Sequence, residues 1–351
     1  MPIRKETVAI GDYQLVVDVN PSLASRLHYL NHSLLIGLRD AHQSILIGSD
    51  GKGSAVVSIP KIAPCLALAC NGSELWVATH DRITRYRDVL FNPEERDGFD
   101  AVFAPLSVHF TGVISIRDFL LADDGAVFFA AARINAISRP SLTHSFDPFW
   151  LPHFFNEMSI DDRIHLNGLA GKGGRPAVAS CFSDGTDWRN DGGNRGVLVD
   201  TKHDHIICGG LQMPHSPRFL GEDLFFLQSG RGTLCKLEPN GSLVEIITRP
   251  GFLRSLEILG DIAFIGVSPL RSGTPMDLAS NENNLMDADA SGVDIVDLNT
   301  GVSKNAVRIK GASVNIGAIC LIPGHIDPAV LPCGEMAAID TITFDGPVTF
   351  N

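Results

Sequence analysis

The chain has 351 residues, of which 44% are hydrophobic and 19% are charged, a composition typical of a globular protein with a large buried core. Its formal net charge of −12, without any run of basic residues, argues against binding to nucleic acid or to an anionic membrane. The sequence contains no long apolar stretch that predicts a membrane span or a signal peptide, and its seven cysteines form no C-x-x-C pair. We therefore expect reduced cysteines and a cytoplasmic location.

The first predicted elements are β-strands. Tyr13–Val19 is an apolar strand without an obvious partner, and a hairpin is expected to join Leu27–Leu30 to Leu34–Leu38 through a turn near residue 32. Two further strands, Ser44–Gly48 and Ser54–Ile59, would complete the first sheet. The beginning of the chain therefore predicts a four-stranded antiparallel unit.

The same hairpin pattern recurs along the chain. Its turns fall near residues 32, 72, 125, 174, 222 and 261, at intervals of 40, 53, 49, 48 and 39 residues, and most contain Gly, Asp or Asn. Repetition at this interval predicts the four-stranded blades of an all-β, six-bladed β-propeller. A strand over Gly317–Ile322 could be the outermost strand of the sixth blade or belong to a seventh, so seven blades is the alternative.

A propeller is a closed ring, and closure removes unpaired strand edges. We expect the N- and C-terminal strands to pair and close the ring, with residues 1–351 forming a single propeller domain. Three insertions interrupt the repeats, at 91–97, 183–194 and 272–290. Long loops on a rigid scaffold often cover or line a site, and the alternative is that they are tolerated surface insertions.

The innermost strand of each blade lines the central channel of a propeller. Counting back seven residues from each turn predicts a ring of channel-lining residues: Ser25 or Arg26, Cys65, Asp118, Asn167, His215 and Arg254. Such polar groups are costly to bury without partners, so a ligand or water is expected to satisfy them.

His215 is the best candidate for acid–base chemistry, because an unperturbed imidazole titrates near neutral pH. Asp118 would orient it across the channel, and Arg218 and Arg254 would bind a carboxylate or phosphate. The structural alternatives are a histidine that caps a strand end and arginines that form ion pairs between blades. Cys65, which follows a proline in an apolar stretch, is expected to be a buried thiol and not a nucleophile.

A metal site is a further hypothesis. A divalent ion would take oxygen and imidazole ligands from Asp118, Asn167, His165 and His215. A site of three histidines, His109, His165 and His215, is an alternative, although His109 and His165 lie at different distances from their turns. The same polar residues could instead bond to one another and to ordered water.

Several short sequence motifs resemble those of a known family. They are Phe110–Gly112, Ile164–Ala170, Gly196–Asp200, Met213–Arg218 and Pro250–Leu256, in this order. Over residues 75–323 the chain resembles a bacterial family of conserved hypothetical β-propeller-like proteins, sometimes fused to tetratricopeptide repeats. The resemblance implies the fold and no settled function. This chain departs from the family at His80–Tyr86 and at Arg117, where the family usually has a histidine before the aspartate.

Together these observations predict a cytoplasmic enzyme that performs polar, non-redox chemistry on a small anionic molecule. The reaction would be of the hydrolase, lyase or isomerase type. The predicted catalytic residues are His215, Asp118 and His165, and the predicted substrate-binding residues are Asn167, Arg218, Arg254 and His109. The alternative is a non-catalytic propeller that binds a ligand, a peptide or a protein.

Overall fold

The computed structural model describes most of the chain. The described residues are 4–10, 13–41, 43–62, 64–89, 98–155, 158–185, 187–191, 193–269, 291–310 and 314–333. They form six sheets, each made largely of sequential antiparallel strands, and one α-helix. Among these residues, no helix has the length and apolar character needed to cross a bilayer.

The N-terminal half of the chain supplies the following elements. Before the first blade come β1 (Arg4–Ile10), β2 (Tyr13–Val19) and α1 (Pro21–Tyr29). Blade 1 contains β3 (His32–Leu38), β4 (Ser44–Ser49) and β5 (Ala55–Ser58). Blade 2 contains β6 (Ala67–Cys70), β7 (Glu74–Ala78), β8 (Arg82–Asp88) and β9 (Ala101–Phe110). Blade 3 contains β10 (Ile116–Leu121), β11 (Val127–Ala131), β12 (Ala136–Arg139) and β13 (Asp147–Trp150).

The C-terminal half supplies the remaining elements. Blade 4 contains β14 (Leu166–Lys172), β15 (Arg175–Cys181), β16 (Gly196–Asp200) and β17 (His205–Leu211). Blade 5 contains β18 (Pro214–Leu220), β19 (Asp223–Gln228), β20 (Thr233–Leu237) and β21 (Leu243–Thr248). Blade 6 contains β22 (Phe252–Leu259), β23 (Ile262–Ser268), β24 (Ser291–Asp297) and β25 (Ser303–Lys310). The last two strands are β26 (Ile316–Pro323) and β27 (Pro328–Val330).

The ring closes through the two ends of the chain. β26 pairs antiparallel with β3, from Ile316 opposite Leu38 to Pro323 opposite His32, and becomes the innermost strand of blade 1. The strand over Gly317–Ile322 is therefore neither the outermost strand of blade 6 nor part of a seventh blade. The six-bladed propeller and its closure by N- and C-terminal strands are confirmed.

The predicted strand Leu27–Leu30 is wrong, because it overlaps the end of helix α1. Asn20 caps this helix by accepting a hydrogen bond from the Ser22 N–H at 3.0 Å, and Pro21 occupies its first turn. Leu23 and Leu27 lie one turn apart on the buried face. Ser25 and Arg26, the predicted channel positions of blade 1, consequently lie on this helix.

The remaining terminal strands extend two blades outward. β2 pairs with β25 and β1 with β2, which gives blade 6 six strands. β27 pairs in parallel with β9 at the outer side of blade 2. β1 and β27 are therefore the outer strands of blades 6 and 2.

The six inner strands are β26, β6, β10, β14, β18 and β22, and each contacts the next around the ring. Apolar residues of neighbouring blades pack between the sheets, with large side chains such as Phe103, Phe129 and Phe264 fully buried. All seven cysteines are free thiols, and burial raises the pKa of Cys65 far above its ordinary value. Cys65 is therefore a buried structural thiol, as expected from its apolar surroundings.

Candidate functional site

The first residues of the inner strands meet at one end of the channel, which we call the channel mouth. A small cavity at this end is lined by residues from five blades: Arg39, Leu66, Arg117, His215, Arg254 and Gly317. Apart from Arg39, which follows β3, each of them lies within the first three residues of an inner strand or immediately before one. Two residues of the predicted polar ring, His215 and Arg254, line this cavity.

β-Bulges shape the channel mouth. Five of the six inner strands shift their pairing register at this level, and the residues inside the shifts are Arg117, Asn167, Ser216–Pro217, Arg254 and Gly317. A bulge inserts a residue without a direct partner and turns side chains away from the regular alternation. The bulges therefore explain why two arginines face a cavity from strands that otherwise alternate regularly.

The backbone at this end also adopts an uncommon conformation. Ser115, His165, Met213 and Ser216 have φ angles of 57°, 47°, 50° and 47°, in the left-handed region that side-chain-bearing residues rarely occupy. All four lie at or just before the bulges of β10, β14 and β18. Such conformations persist where the surrounding structure enforces them, and they concentrate at functional sites.

His215 is buried and has a defined tautomer. Its Nδ1 lies 3.1 Å from the Met213 carbonyl and 2.9 Å from the Ser229 hydroxyl. The Ser229 hydroxyl donates its proton to the Leu253 carbonyl, so Nδ1 must donate and Nε2 keeps its lone pair. Burial, followed by the positive charge of Arg254, holds the pKa of His215 well below its usual value. His215 is therefore a neutral base at pH 7.

His165 lies just before β14 and is held by Asp162. Its Nδ1 donates to the Asp162 carboxylate at 2.8 and 3.0 Å, which again leaves Nε2 with the lone pair. Burial lowers the pKa of His165 despite the neighbouring carboxylate, and Arg117 and Arg254 lower it further. An imidazole oriented by a carboxylate is the usual arrangement of a catalytic base.

The insertion over residues 183–194 covers this histidine. The Trp188 ring packs 4.9 Å from the His165 ring, and its Nε1–H donates to the Asp162 carbonyl at 2.9 Å. Arg189 donates to the Asp162 carboxylate at 3.1 Å. The predicted insertions at 91–97 and 272–290 lie outside the described residues.

One aromatic ring joins the two histidines. Phe182 stacks on His165 with ring centroids 4.4 Å apart and meets His215 edge-on at 4.9 Å. His165 and His215 also share the electrostatic influence of Arg117 and Arg254. The channel mouth thus combines two neutral imidazoles with positively charged arginines.

Asp118 does not orient His215, which corrects the predicted catalytic role. Its two carboxylate oxygens accept hydrogen bonds from Arg218 at 2.9 and 3.0 Å, and one also accepts the Leu169 N–H at 3.1 Å. Arg218 also contacts Glu257 at 3.3 Å. The prediction that Arg218 binds substrate is replaced by its structural alternative, an ion pair between blades.

The other predicted residues also have assigned positions. Asn167 is buried, donates to the His165 carbonyl at 3.1 Å and accepts from the Ser180 hydroxyl at 2.8 Å, so it positions the His165 backbone. His109 lies on β9, the fourth strand of blade 2, where it stacks on Trp76 away from the inner strands. The guanidinium of Arg254 lies 4.8 Å from the Phe252 ring, at the cavity.

The predicted metal ligands are not brought together. Asp118 is engaged by Arg218 and Asn167 by Ser180, while His109 is remote from His165 and His215. Among the described residues, the only group of three ligating side chains of His, Cys, Asp or Glu lies elsewhere, at Asp200, His203 and His205.

Sequence reasoning missed Arg39, Arg117 and Asp162. Arg117 immediately precedes Asp118, and Asp162 lies three residues before His165, so both are close in sequence to predicted site residues. A count that allowed for one extra residue in each inner strand would have found Arg117. Arg39 follows the second strand of its hairpin, and only the closure of blade 1 by β26 identifies its place at the mouth.

Comparison with known proteins agrees with this fold. Residues 21–331 match the family described as a domain of unknown function (DUF4915), so the chain belongs to that family. No curated protein matches the sequence. The membership confirms the resemblance to an uncharacterised family of β-propeller-like proteins.

Solved structures of similar architecture share little sequence with the chain. A chain in a nidogen/laminin complex is 12% identical with a TM-score of 0.53, covering 84% of this chain and 98% of its own length. A protein of unknown function from Bacteroides caccae is 11% identical with a TM-score of 0.53, covering 83% and 98%. A virginiamycin B lyase of Staphylococcus aureus is 14% identical with a TM-score of 0.42, covering 76% and 96%. At these identities the first two similarities support the fold alone.

Proposed function

We propose that the channel mouth is the active site of an enzyme that moves a proton to or from a small anionic molecule. The reaction is non-redox and of the hydrolase, lyase or isomerase class. One observation carries the proposal. His165 and His215 each donate a hydrogen bond from Nδ1 to a fixed acceptor, and the charges of Arg117 and Arg254 lower the pKa of both rings. Paired neutral bases beside guanidinium groups suit an acid–base reaction of an anion.

The arginines supply the affinity for the anion. Arg39, Arg117 and Arg254 line one small cavity in a chain whose formal net charge is −12. Guanidinium groups bind carboxylate and phosphate through charge-assisted hydrogen bonds, which are strong where water is largely excluded. The small size of the cavity and the acidic chain support a small molecule as the ligand and oppose nucleic acid.

The histidines supply the proton transfer. His215 would accept a proton at Nε2, and His165, oriented by Asp162, would serve as the second acid–base group. Burial, with a further contribution from the charge of Arg117 and Arg254, lowers the pKa of both imidazoles in the free protein. A bound anion would offset that charge and raise the imidazole pKa, so the site would retain the proton it takes from the substrate. The seven free cysteines support a cytoplasmic place of action.

The proposal is tested with a library of small carboxylates and phosphate esters. Binding is measured by thermal shift and calorimetry, and turnover by NMR of the mixtures. Ligands are compared on wild type, Arg254→Gln, His215→Gln and the control Arg175→Gln, whose side chain is 54% exposed in a pair with Asp124. We expect Arg254→Gln to lose binding and His215→Gln to keep binding while losing turnover.

Two results would contradict the proposal that the protein is an enzyme. Binding that needs Arg254 without turnover of any bound compound would favour the alternative, a binding propeller. Binding that is equally strong in wild type and Arg254→Gln would mean that the channel mouth is not the binding site. The Arg175→Gln control separates these results from a general effect of lost positive charge.

A further inference from the structure

The hairpin turn between β16 and β17 carries three metal-ligating side chains. Asp200 is the last residue of β16, His205 is the first residue of β17, and the two form the terminal pair of the ladder. His203 lies in the turn between them. One ligand atom from each of the three side chains lies within 4.8 Å of the others.

Hydrogen bonds to the backbone of the turn hold it in shape. The Asp200 Oδ1 atom accepts the backbone N–H groups of Lys202 at 2.8 Å and His203 at 3.0 Å. Thr201 anchors the turn to blade 4 by donating its hydroxyl to the Pro176 carbonyl at 2.7 Å. Asp204, with φ of 53°, accepts the His153 N–H at 3.1 Å. A ligand set on such a turn is largely preorganised.

We propose that Asp200, His203 and His205 bind a divalent transition-metal ion of the zinc type. Two imidazoles and one carboxylate are ligands that Zn²⁺ and Co²⁺ accept. The His203 Nδ1 atom lies 3.0 Å from Asp200 Oδ2. Ligands bound about 2.0 Å from a tetrahedral zinc are separated by roughly 3.3 Å. The ion therefore takes the place of the hydrogen between these atoms: His203 binds it through the Nδ1 lone pair while its ring N–H is on Nε2, and His205 supplies the third ligand.

The exposure of the site leaves room for further ligands. The side chain of Asp200 is 24% exposed and that of His203 is 62% exposed. Three protein ligands leave an open coordination position, which water or a ligand from another molecule fills.

This metal site is independent of the channel mouth. β14 begins at the mouth, β15 runs back to it, and β16 therefore starts at the mouth and ends at the opposite face of the propeller. Asp200, His203 and His205 lie at that opposite face. Loss of this site would leave the channel mouth intact, and the failure of either proposal is distinguishable from the failure of the other.

The experiment is a titration of tag-free full-length protein with Co²⁺, followed by its visible absorption, and with Zn²⁺ by calorimetry. The variants are His203→Ala, His205→Ala and Asp200→Asn. The matched control is His144→Ala, which removes an exposed histidine with a single carboxylate neighbour, Asp147, at 3.9 Å. Circular dichroism and melting temperature verify that each variant is folded.

We expect wild type and His144→Ala to bind one equivalent of metal with the same affinity. His203→Ala and His205→Ala should each weaken binding at least about tenfold, since even an outer-shell partner of a ligand is worth that much. Equal affinity in wild type and both histidine variants, or no stoichiometric binding in wild type, would overturn the proposal. If Asp200→Asn fails to fold, the two histidine variants alone decide the outcome.

Discussion

The guanidinium of Arg218 on blade 5 binds the carboxylate of Asp118 on blade 3 through two hydrogen bonds of 2.9 and 3.0 Å. Between these blades, the Leu169 N–H on the inner strand of blade 4 donates to the same carboxylate at 3.1 Å. Ser255 in blade 6 has the corresponding role, because its hydroxyl accepts the Ile319 N–H of the next inner strand at 3.1 Å. These polar groups hold the inner strands together below the channel mouth.

The first prediction concerns this ion pair. Asp118→Asn should lower the free energy of unfolding by about 1.5–3 kcal/mol, because it removes the charged acceptor of two hydrogen bonds from a largely buried guanidinium and leaves that group only the longer contact with Glu257. Urea denaturation at pH 7 measures the loss. Asp124→Asn, which removes a carboxylate from the exposed pair with Arg175, is the matched control and should have almost no effect. Equal losses in the two variants would mean that Asp118 is not a structural group.

Glu257 is the second carboxylate that contacts Arg218. Burial raises the pKa of Glu257, and the charge of Asp118 opposes the favourable effect of Arg218. At pH values just above 4.5, the folded protein therefore holds more proton on Glu257 than the unfolded chain does. The contribution of this group to stability is full below its unfolded pKa and is lost as pH rises through the folded pKa.

The second prediction follows from this loss of stability with rising pH. As pH rises from about 4.5 through the raised pKa of Glu257, Glu257→Gln should become progressively more stable relative to wild type, because glutamine does not titrate. The measurement is the difference in unfolding free energy at several pH values. A difference that is constant, or that changes in favour of wild type as pH rises, would contradict the assigned protonation.

The sequence was sufficient to predict the blades, because glycine, aspartate and asparagine at hairpin turns determine where strands reverse. It was not sufficient to fix the register at the channel mouth. The bulges in the inner strands break the alternation of side chains, so a regular count selected Asp118 where Arg117 lines the cavity. The same count selected Asn167, which holds the His165 backbone, although the imidazole at the channel mouth belongs to His165.

Blade 1 was misassigned for a different reason. Its inner strand comes from β26, nearly 300 residues away in the chain, and local pattern contains no information about that pairing. Leu27 and Leu30 match a short strand as well as they match a helical face, and the cap at Asn20 was the decisive local signal. The apolar strands themselves were predicted correctly for β4 and β5.

The third prediction concerns a glycine at the channel mouth. A Cβ atom on Gly317 would lie 1.8 Å from the Cys65 carbonyl oxygen, because the inner strands of blades 1 and 2 approach closely there. Gly317→Ala should therefore cost at least about 3 kcal/mol of unfolding free energy or prevent folding. Gly51→Ala, where a Cβ meets nothing within 4 Å, is the control and should be tolerated. Comparable soluble expression and stability of both variants would show that the closure of the ring tolerates movement at β26.

The last prediction concerns the neutral histidines. Burial and the charge of Arg254 depress the pKa of His215 in the folded state, so below about pH 6.5 the unfolded chain binds a proton that the folded protein does not. His215 therefore makes the protein lose stability as pH falls, with a slope approaching about 1.4 kcal/mol per pH unit. His215→Gln should be less stable than wild type at pH 8 and should lose less further stability between pH 7 and pH 5.

Urea denaturation across this pH range gives the two slopes. His144→Gln serves as the control, because its side chain is 75% exposed, and it should reproduce the wild-type slope. Identical slopes for wild type and His215→Gln would mean that His215 is protonated as readily in the folded protein as in the unfolded chain. In that event Arg117 and Arg254 would face a charged imidazole, and the proton acceptor of the proposed reaction would have to be His165 alone.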